Sequence, residues 1–255
     1  MIPLFRKLRN YAIMLSALLQ ILLIPPSAMA VRPFVTDDAN VVGKNLFNFE
    51  TSLRWDKTQL QHLNLIAYGP TEKLELTMGF TDGFLFEGED TGRISIAGPL
   101  GQVKYLFKDV TPNGLPGVAC VVGVGAPYGN NNFGNPSWSE FAYLAVTESL
   151  GQKDAVLIHA NVGVNYAKPE DAWKYSALWG VGTQIRIIGE LHGVGEIFYG
   201  DAYSGDSTGA FQVGLRYFIS EKVQVDATVG SGLWGDKQPN TWVGCGLRLV
   251  FGPLW

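Results

Sequence analysis

Apolar residues fall at every second position of this chain, and they do so over stretches longer than a soluble strand. Phe47, Phe49, Leu53 and Trp55 share one face, against Asn48, Glu50, Ser52 and Arg54. Leu74, Leu76, Met78 and Phe80 alternate with Glu75, Thr77 and Gly79. Val156, Ile158, Ala160, Val162 and Val164 alternate with His159, Asn161, Gly163 and Asn165. The same rhythm returns at Phe211–Tyr217, Val223–Val229 and Val243–Phe251. A period of two held over eight or more residues specifies a strand with one apolar and one polar face. Twelve segments qualify: 45–56, 59–69, 73–83, 92–108, 116–127, 138–150, 154–167, 173–187, 190–200, 208–220, 222–233 and 240–251. Soluble strands average about 5–6 residues, whereas a tilted membrane strand needs about 9–11 to cross the hydrocarbon. Gly98-Pro99 interrupts the fourth segment.

Composition narrows the choice. Hydrophobic residues are 47% and charged residues 16%, against roughly 25% charged in soluble domains, which excludes a disordered chain. The net charge of −4 gives nucleic acid no electrostatic footing. Two cysteines, Cys120 and Cys245, cannot build a disulfide scaffold or a four-cysteine zinc site, and they fall in segments 5 and 12. Two free thiols are expected. Past residue 30 no apolar run approaches the ~18 residues of a membrane helix.

Residues 1–30 read as an address. Arg6, Lys7 and Arg9 precede an apolar stretch from Tyr11 to Ile24, then Pro25-Pro26 and the small-x-small pattern Ala28-Met29-Ala30. This is a secretory signal peptide with cleavage expected after Ala30. Residues 31–44 are then expected as a periplasmic N-terminal segment and 45–255 as the barrel.

Connector lengths also alternate. Gly69–Glu72, Gly151–Lys153, Ile188-Gly189 and Ser220-Glu221 are tight, with 109–115 a longer member of that set; 81–91, 127–137, 168–172, 201–207 and 235–239 are longer and polar. Short turns at one end and longer loops at the other are the outer-membrane barrel pattern. The short link Asp56–Thr58 breaks it. Aromatic residues near strand ends, including Trp55, Tyr68, Trp138, Tyr166, Trp173, Tyr175, Tyr217, Trp234, Trp242 and Phe251, suit two headgroup-level girdles. The competing fold is a soluble β-sandwich or lipocalin-like barrel with its apolar face inside. Strand length and the polar alternate face argue against it, and lipid satisfies no open strand edge.

If the apolar face meets lipid, the polar face lines a lumen. That assigns Glu50, Arg54, His62, Asn64, Glu75, Lys104, His159, Asn161, Asn165, Arg186, Glu196, Arg216, Asp226 and Arg248 to the interior, with Gln184, Gln212 and Gln224 beside them. These residues either fill and cross-link the barrel or line a solute path. Twelve strands leave more room than the eight-strand size that side chains fill. Inward glycines such as Gly163, Gly180, Gly182, Gly214 and Gly230 either open that path or permit bending.

Several short motifs, in order, now resemble a known family. They are Arg32-Pro33-Phe34-Val35-Thr36-Asp37-Asp38-Ala39, Gly43-Lys44, Tyr68-Gly69-Pro70-Thr71-Glu72-Lys73-Leu74-Glu75-Leu76, Lys104-Tyr105-Leu106-Phe107-Lys108-Asp109, His159-Ala160-Asn161-Val162-Gly163 and Gly214-Leu215-Arg216-Tyr217. Together they resemble the bacterial outer-membrane family labelled for the MetA pathway of phenol degradation. The resemblance spans most of the mature chain. It implies a transporter-like barrel taking up hydrophobic or aromatic compounds. Pro70 departs from the expected Leu or Ile in its turn, and the chain runs past Phe251 to Trp255, so either aromatic could be the terminal signal read by the barrel-assembly machinery.

An enzyme needs a nucleophile and a base in reach. None of His62, His159 and His192 is followed two residues later by Ser, so a triad would have to come from separate strands. The histidines and cysteines show no metal-ligand spacing, and Asp37-Asp38 reads as a turn or cap. Gly123-Val124-Gly125 lies within a strand pattern with no helix after it, which excludes a dinucleotide fingerprint. No cofactor, metal or nucleic-acid partner is expected. The expected partners are outer-membrane lipid, the assembly machinery and a small-molecule solute, and the expected role is an outer-membrane channel or transporter. A structural or surface-interaction barrel is the alternative, and a lipid hydrolase a third reading.

Overall fold

The computed structural model describes residues 33–88, 91–130, 138–152, 154–168, 172–203, 208–235 and 239–252. The expected leader, most of the Asn130–Asn132 loop and Trp255 lie outside the described residues. The described chain forms twelve strands: β1 (Phe47–Trp55), β2 (Gln59–Thr71), β3 (Leu74–Leu85), β4 (Ile94–Lys108), β5 (Gly117–Gly125), β6 (Ser139–Leu150), β7 (Val156–Ala167), β8 (Lys174–Ile188), β9 (Leu191–Tyr199), β10 (Gly209–Ser220), β11 (Val223–Trp234) and β12 (Trp242–Phe251). Each pairs antiparallel with its sequence neighbours. Nine pairs from Phe47↔Phe251 to Trp55↔Val243 join β1 to β12 and close the barrel. Closure gives every strand two partners, so no open edge remains.

The barrel is inverted relative to a soluble protein. Met78 is 63%, Val162 62% and Val243 59% exposed, while Lys104 is 2%, Arg216 2% and Arg248 1% exposed. Such an arrangement costs free energy in water and is favourable only where the outside is apolar. The outer face is therefore a lipid-facing belt, and the soluble-fold alternative, with an apolar inside, does not describe this chain. Ring stacks mark its ends: Phe47 with Tyr68 and Phe251, and Tyr166 with Trp173 and Tyr175. Trp242 is not part of the girdle. It is 3% exposed and turned inward, because it shares the phase of Gly244 and Arg248 rather than that of Val243.

The link after β1 is short because Asp56 organises it. Its Oδ1 accepts from the Thr58 N–H at 2.7 Å, the Thr58 hydroxyl at 2.6 Å and the Gln59 N–H at 3.1 Å. An aspartate that captures amides two and three residues on replaces a longer loop. Gly98-Pro99 does not end β4. The β3–β4 register slips between Gly79 and Thr81, and the strand runs on through the irregularity. Cys120 and Cys245 are free, on strands that are not neighbours.

The β6–β7 wall is tightly packed at Gly163, where an added Cβ would lie 2.2 Å from the Ala142 carbonyl oxygen and 2.6 Å from Tyr143 Cα. Both obstacles are backbone and cannot swing away. Gly163→Val is expected to lower stability by about 1–3 kcal/mol, read as an earlier urea-unfolding midpoint of the detergent-folded barrel; an unchanged midpoint would contradict this packing.

Candidate functional site

The lumen is occupied by the chain's own N-terminal stretch. Residues 31–44 are expected as a periplasmic segment; of these, 33–42 lie against inward side chains of the barrel before the chain enters β1. An extended segment with no strand beside it must find acceptors for its amides, and lumen side chains supply them. Glu196 takes the Val35 N–H at 2.7 Å and the Thr36 N–H at 2.8 Å on its two oxygens. Asn161 accepts from the Asp37 N–H at 2.6 Å and donates back to the Asp37 carbonyl at 2.8 Å. Thr147 Oγ1 accepts from the Ala39 N–H at 2.9 Å, and Glu75 from the Val42 N–H at 2.8 Å. Gln212 donates to the Pro33 carbonyl at 2.7 Å.

Asp37 and Asp38 anchor the segment by charge. Lys104 Nζ lies 2.8 Å from Asp37 and 3.5 Å from Asp38, and the Tyr143 hydroxyl donates to Asp37 at 2.9 Å. Burial pushes the Asp37 carboxyl above its ordinary range, and the Lys104 ammonium opposes that. Asp38 also accepts the Asn40 N–H at 2.7 Å, so the expected turn role exists beside the ion pair. Phe34 packs with its ring centroid 5.3 Å from that of His159, and the Arg216 guanidinium lies 5.3 Å from the Phe34 ring. The inward glycines beneath the segment do not open a channel: Cβ atoms on Gly180 and Gly182 would meet Thr36 at 2.3 Å and Phe34 at 3.2 Å. They make the bed in which it lies.

A cavity of about 450 Å³ remains beside the segment. Glu50, Arg54, Glu75, Lys104, Asn161 and Arg248, all singled out from sequence, line it. His159, Asn165, Arg186, Glu196, Arg216 and Asp226 also point inward but line other parts of the lumen, where Arg216 bonds to Gln184 and Glu196 holds the segment. Arg54 stacks 3.9 Å over the inward Trp242 ring. Past β9, Asp201, Ala202 and Tyr203 also line the cavity. Tyr203 donates to Gln102 Oε1 at 3.1 Å and packs against Phe141, and burial keeps its hydroxyl protonated.

Two assignments are corrected. His62 and Asn64 do not face the lumen. Directly paired residues share a face, and β2 is registered on β1 with Glu50 opposite Leu65 and Arg54 opposite Gln61. The inward residues of β2 are therefore Gln59, Gln61, Leu63, Leu65 and Ala67, which line the cavity. His62 and Asn64 point to the lipid side with Thr51, Leu53, Phe80 and Asp82. Alternation in β2 has polar residues in both phases near its start, so the sequence offered no clear choice of face; the polar partners waiting on β1 and β3 settle it. Alternation does not single out Gln59, Gln61, Gln102, Trp242 or Tyr203: the first two lie on a strand with polar residues in both phases, and Tyr203 lies past the end of β9. Among the described residues no cluster of three or more His, Cys, Asp or Glu could hold a metal.

Solved structures similar to this fold are outer-membrane barrels. The COG4313 outer membrane channel from Pseudomonas putida F1 matches with a TM-score of 0.60 and 14% identity, covering 89% of this chain and 100% of that one. The KdgM porin matches with a TM-score of 0.56 at 12% identity over 80% of this chain and 99% of its own. The NanC porin matches with a TM-score of 0.53 at 8% identity over 82% and 100%. At these identities the likeness is one of fold. No curated protein matches in sequence. A family model spans residues 109–251, more than half of the chain and its eight strands from β5 to β12, and on that match the chain belongs to the family described as uncharacterised conserved protein UCP029691.

Proposed function

We propose that this protein is an outer-membrane channel or transporter that passes small molecules through its lumen, reached by way of a signal peptide cleaved after Ala30. The observation that carries this is the cavity of about 450 Å³ inside a closed barrel, lined by charged and apolar groups together and bounded by a folded-in segment rather than by a packed core. Fold alone does not name a function; the cavity, its lining and the barrel likeness support the same reading. Apolar Leu63, Leu65, Ala67 and Leu100 line the cavity together with charged Lys104, Arg248 and Glu50. That mixed lining suits small molecules with an apolar body. It agrees with the uptake of hydrophobic or aromatic compounds implied by the resemblance to the MetA-pathway family. Partners under this reading are outer-membrane lipid, the solute and the barrel-assembly machinery, with Phe251 the last strand residue for that machinery to read.

The test is single-channel recording of the refolded mature protein in a planar bilayer. Wild type is expected to give small unitary steps, and deletion of residues 31–42 larger ones, since the cavity and the segment's volume then join. Silence from both proteins, each shown folded by heat-modifiable gel mobility, would overturn the channel reading.

Glu196→Ala removes the acceptor of two segment amides. Each such charge-assisted bond is worth about 1.5–3 kcal/mol, so residues 34–38 are expected to exchange their amide hydrogens at least roughly tenfold faster while strand amides keep their protection. Unchanged exchange at Val35 and Thr36 would show that the segment is held by other contacts.

A further inference from the structure

The outward face of β1–β3 carries a polar cluster where a barrel should show only apolar side chains. Thr51 Oγ1 lies 2.7 Å from His62 Nε2, and His62 Nδ1 lies 3.1 Å from Asp82 Oδ1. Asn64 donates to the same Asp82 oxygen at 3.1 Å, and its carbonyl oxygen lies 3.1 Å from Thr51 Oγ1. The His62 and Asp82 side chains are 35% and 33% exposed, among the exposed Leu53, Ile66, Met78, Phe80 and Phe84. Ionisable groups at membrane depth are costly, rarely face lipid, and mark function where they occur.

The order of atoms has a chemical meaning. His62 Nδ1 lies 3.1 Å from Asp82 Oδ1 and 3.3 Å from Asn64 Nδ2, and the carboxylate, which only accepts, favours the tautomer with the proton on Nδ1. Nε2 is then left with its lone pair toward Thr51 Oγ1, whose proton goes to Asn64 Oδ1 at 3.1 Å in the resting arrangement and turns to Nε2 for the reaction. A hydroxyl on a ring nitrogen whose opposite nitrogen is held by a carboxylate is the nucleophile–base–orienter arrangement, which is recognised by geometry and not by chain order. Here it is assembled from three adjacent strands.

We propose that Thr51, His62 and Asp82 form an ester-hydrolysing site on the lipid-facing wall, acting on the acyl ester of a membrane lipid. The Thr51 oxygen bonds to the ester carbonyl carbon and its proton passes to His62 Nε2. Collapse breaks the acyl C–O bond, and the His62 proton leaves on the glycerol oxygen. Water then attacks the Thr51 ester, gives its proton to His62, and that proton returns to Thr51 as the fatty acid departs. The apolar side chains around the cluster seat the acyl chain, and the site opens sideways to lipid because it lies on the outer wall. This activity is independent of passage through the lumen.

The test uses the full mature barrel in phosphatidylethanolamine–phosphatidylglycerol vesicles, with fatty-acid release as the readout and a fluorophosphonate probe to mark the nucleophile. Wild type is expected to release fatty acid and to carry the probe on the peptide containing Thr51. Thr51→Ala and His62→Gln are expected to lose roughly 100-fold or more, and Thr51→Ser to keep or raise the rate, which also shows that the wall still folds. Release no faster than from protein-free vesicles would overturn the proposal. So would a Thr51→Ala barrel that keeps the wild-type rate, or turnover of water-soluble 4-nitrophenyl acetate without turnover of vesicle lipid.

Discussion

Hydrocarbon offers a backbone amide nothing to bond to, and this requirement organises the whole molecule. It forces the strands into a ring, and the ring is completed by the nine β1–β12 pairs. Once the ring is closed, period-two side chains have only two destinations. The apolar set goes to lipid and the charged set goes inside, which is why Arg216 and Arg248 are among the most buried side chains of the chain. The same requirement returns inside the lumen. Residues 33–42 lie there without a neighbouring strand, and their amides are answered by Glu75, Thr147, Asn161 and Glu196.

The interior charges thus serve two ends. Some hold the chain's own segment: Lys104 is committed to Asp37 and Asp38, and breaking a buried pair of this kind costs several kcal/mol because the remaining charge is stranded. Others, such as Arg54 over Trp242, border the cavity. A barrel built only for rigidity would gain little from leaving that space. A barrel built as an open pore would gain little from seating a segment on Gly180 and Gly182. The interior has both features, a cavity and a seated segment that forms part of the cavity's wall.

The comparison between β2 and its neighbours shows where a pattern stops being informative. In β7, His159, Asn161 and Asn165 alternate cleanly with Ile158, Ala160, Val162 and Val164, and they point where alternation places them. In β2, Gln59 and Gln61 lie in one phase and His62 and Asn64 in the other, so burial could be served either way. Pairing with β1 selects the phase that puts Leu63 and Leu65 at the cavity and leaves His62 and Asn64 to be answered by Thr51 and Asp82. A one-residue change of phase moves every side chain to the opposite face, and here that choice separates a lumen residue from a member of a lipid-facing cluster.

Strand number, strand length, the inverted burial and the two kinds of connector follow from the sequence, because the side-chain period and the bilayer thickness are both fixed lengths. Glu50, Lys104, His159, Arg216 and Arg248 are buried on the polar face that alternation gives their strands. What only the tertiary structure decided are contacts between residues far apart in the chain. Asp37 meets Lys104 across 67 positions, Thr36 meets Glu196 across 160, and Tyr203 meets Gln102 across 101. Periodicity sets which face a residue takes, whereas these partners are set by how a closed wall receives the segment before β1 and Tyr203 after β9 in the space that it encloses.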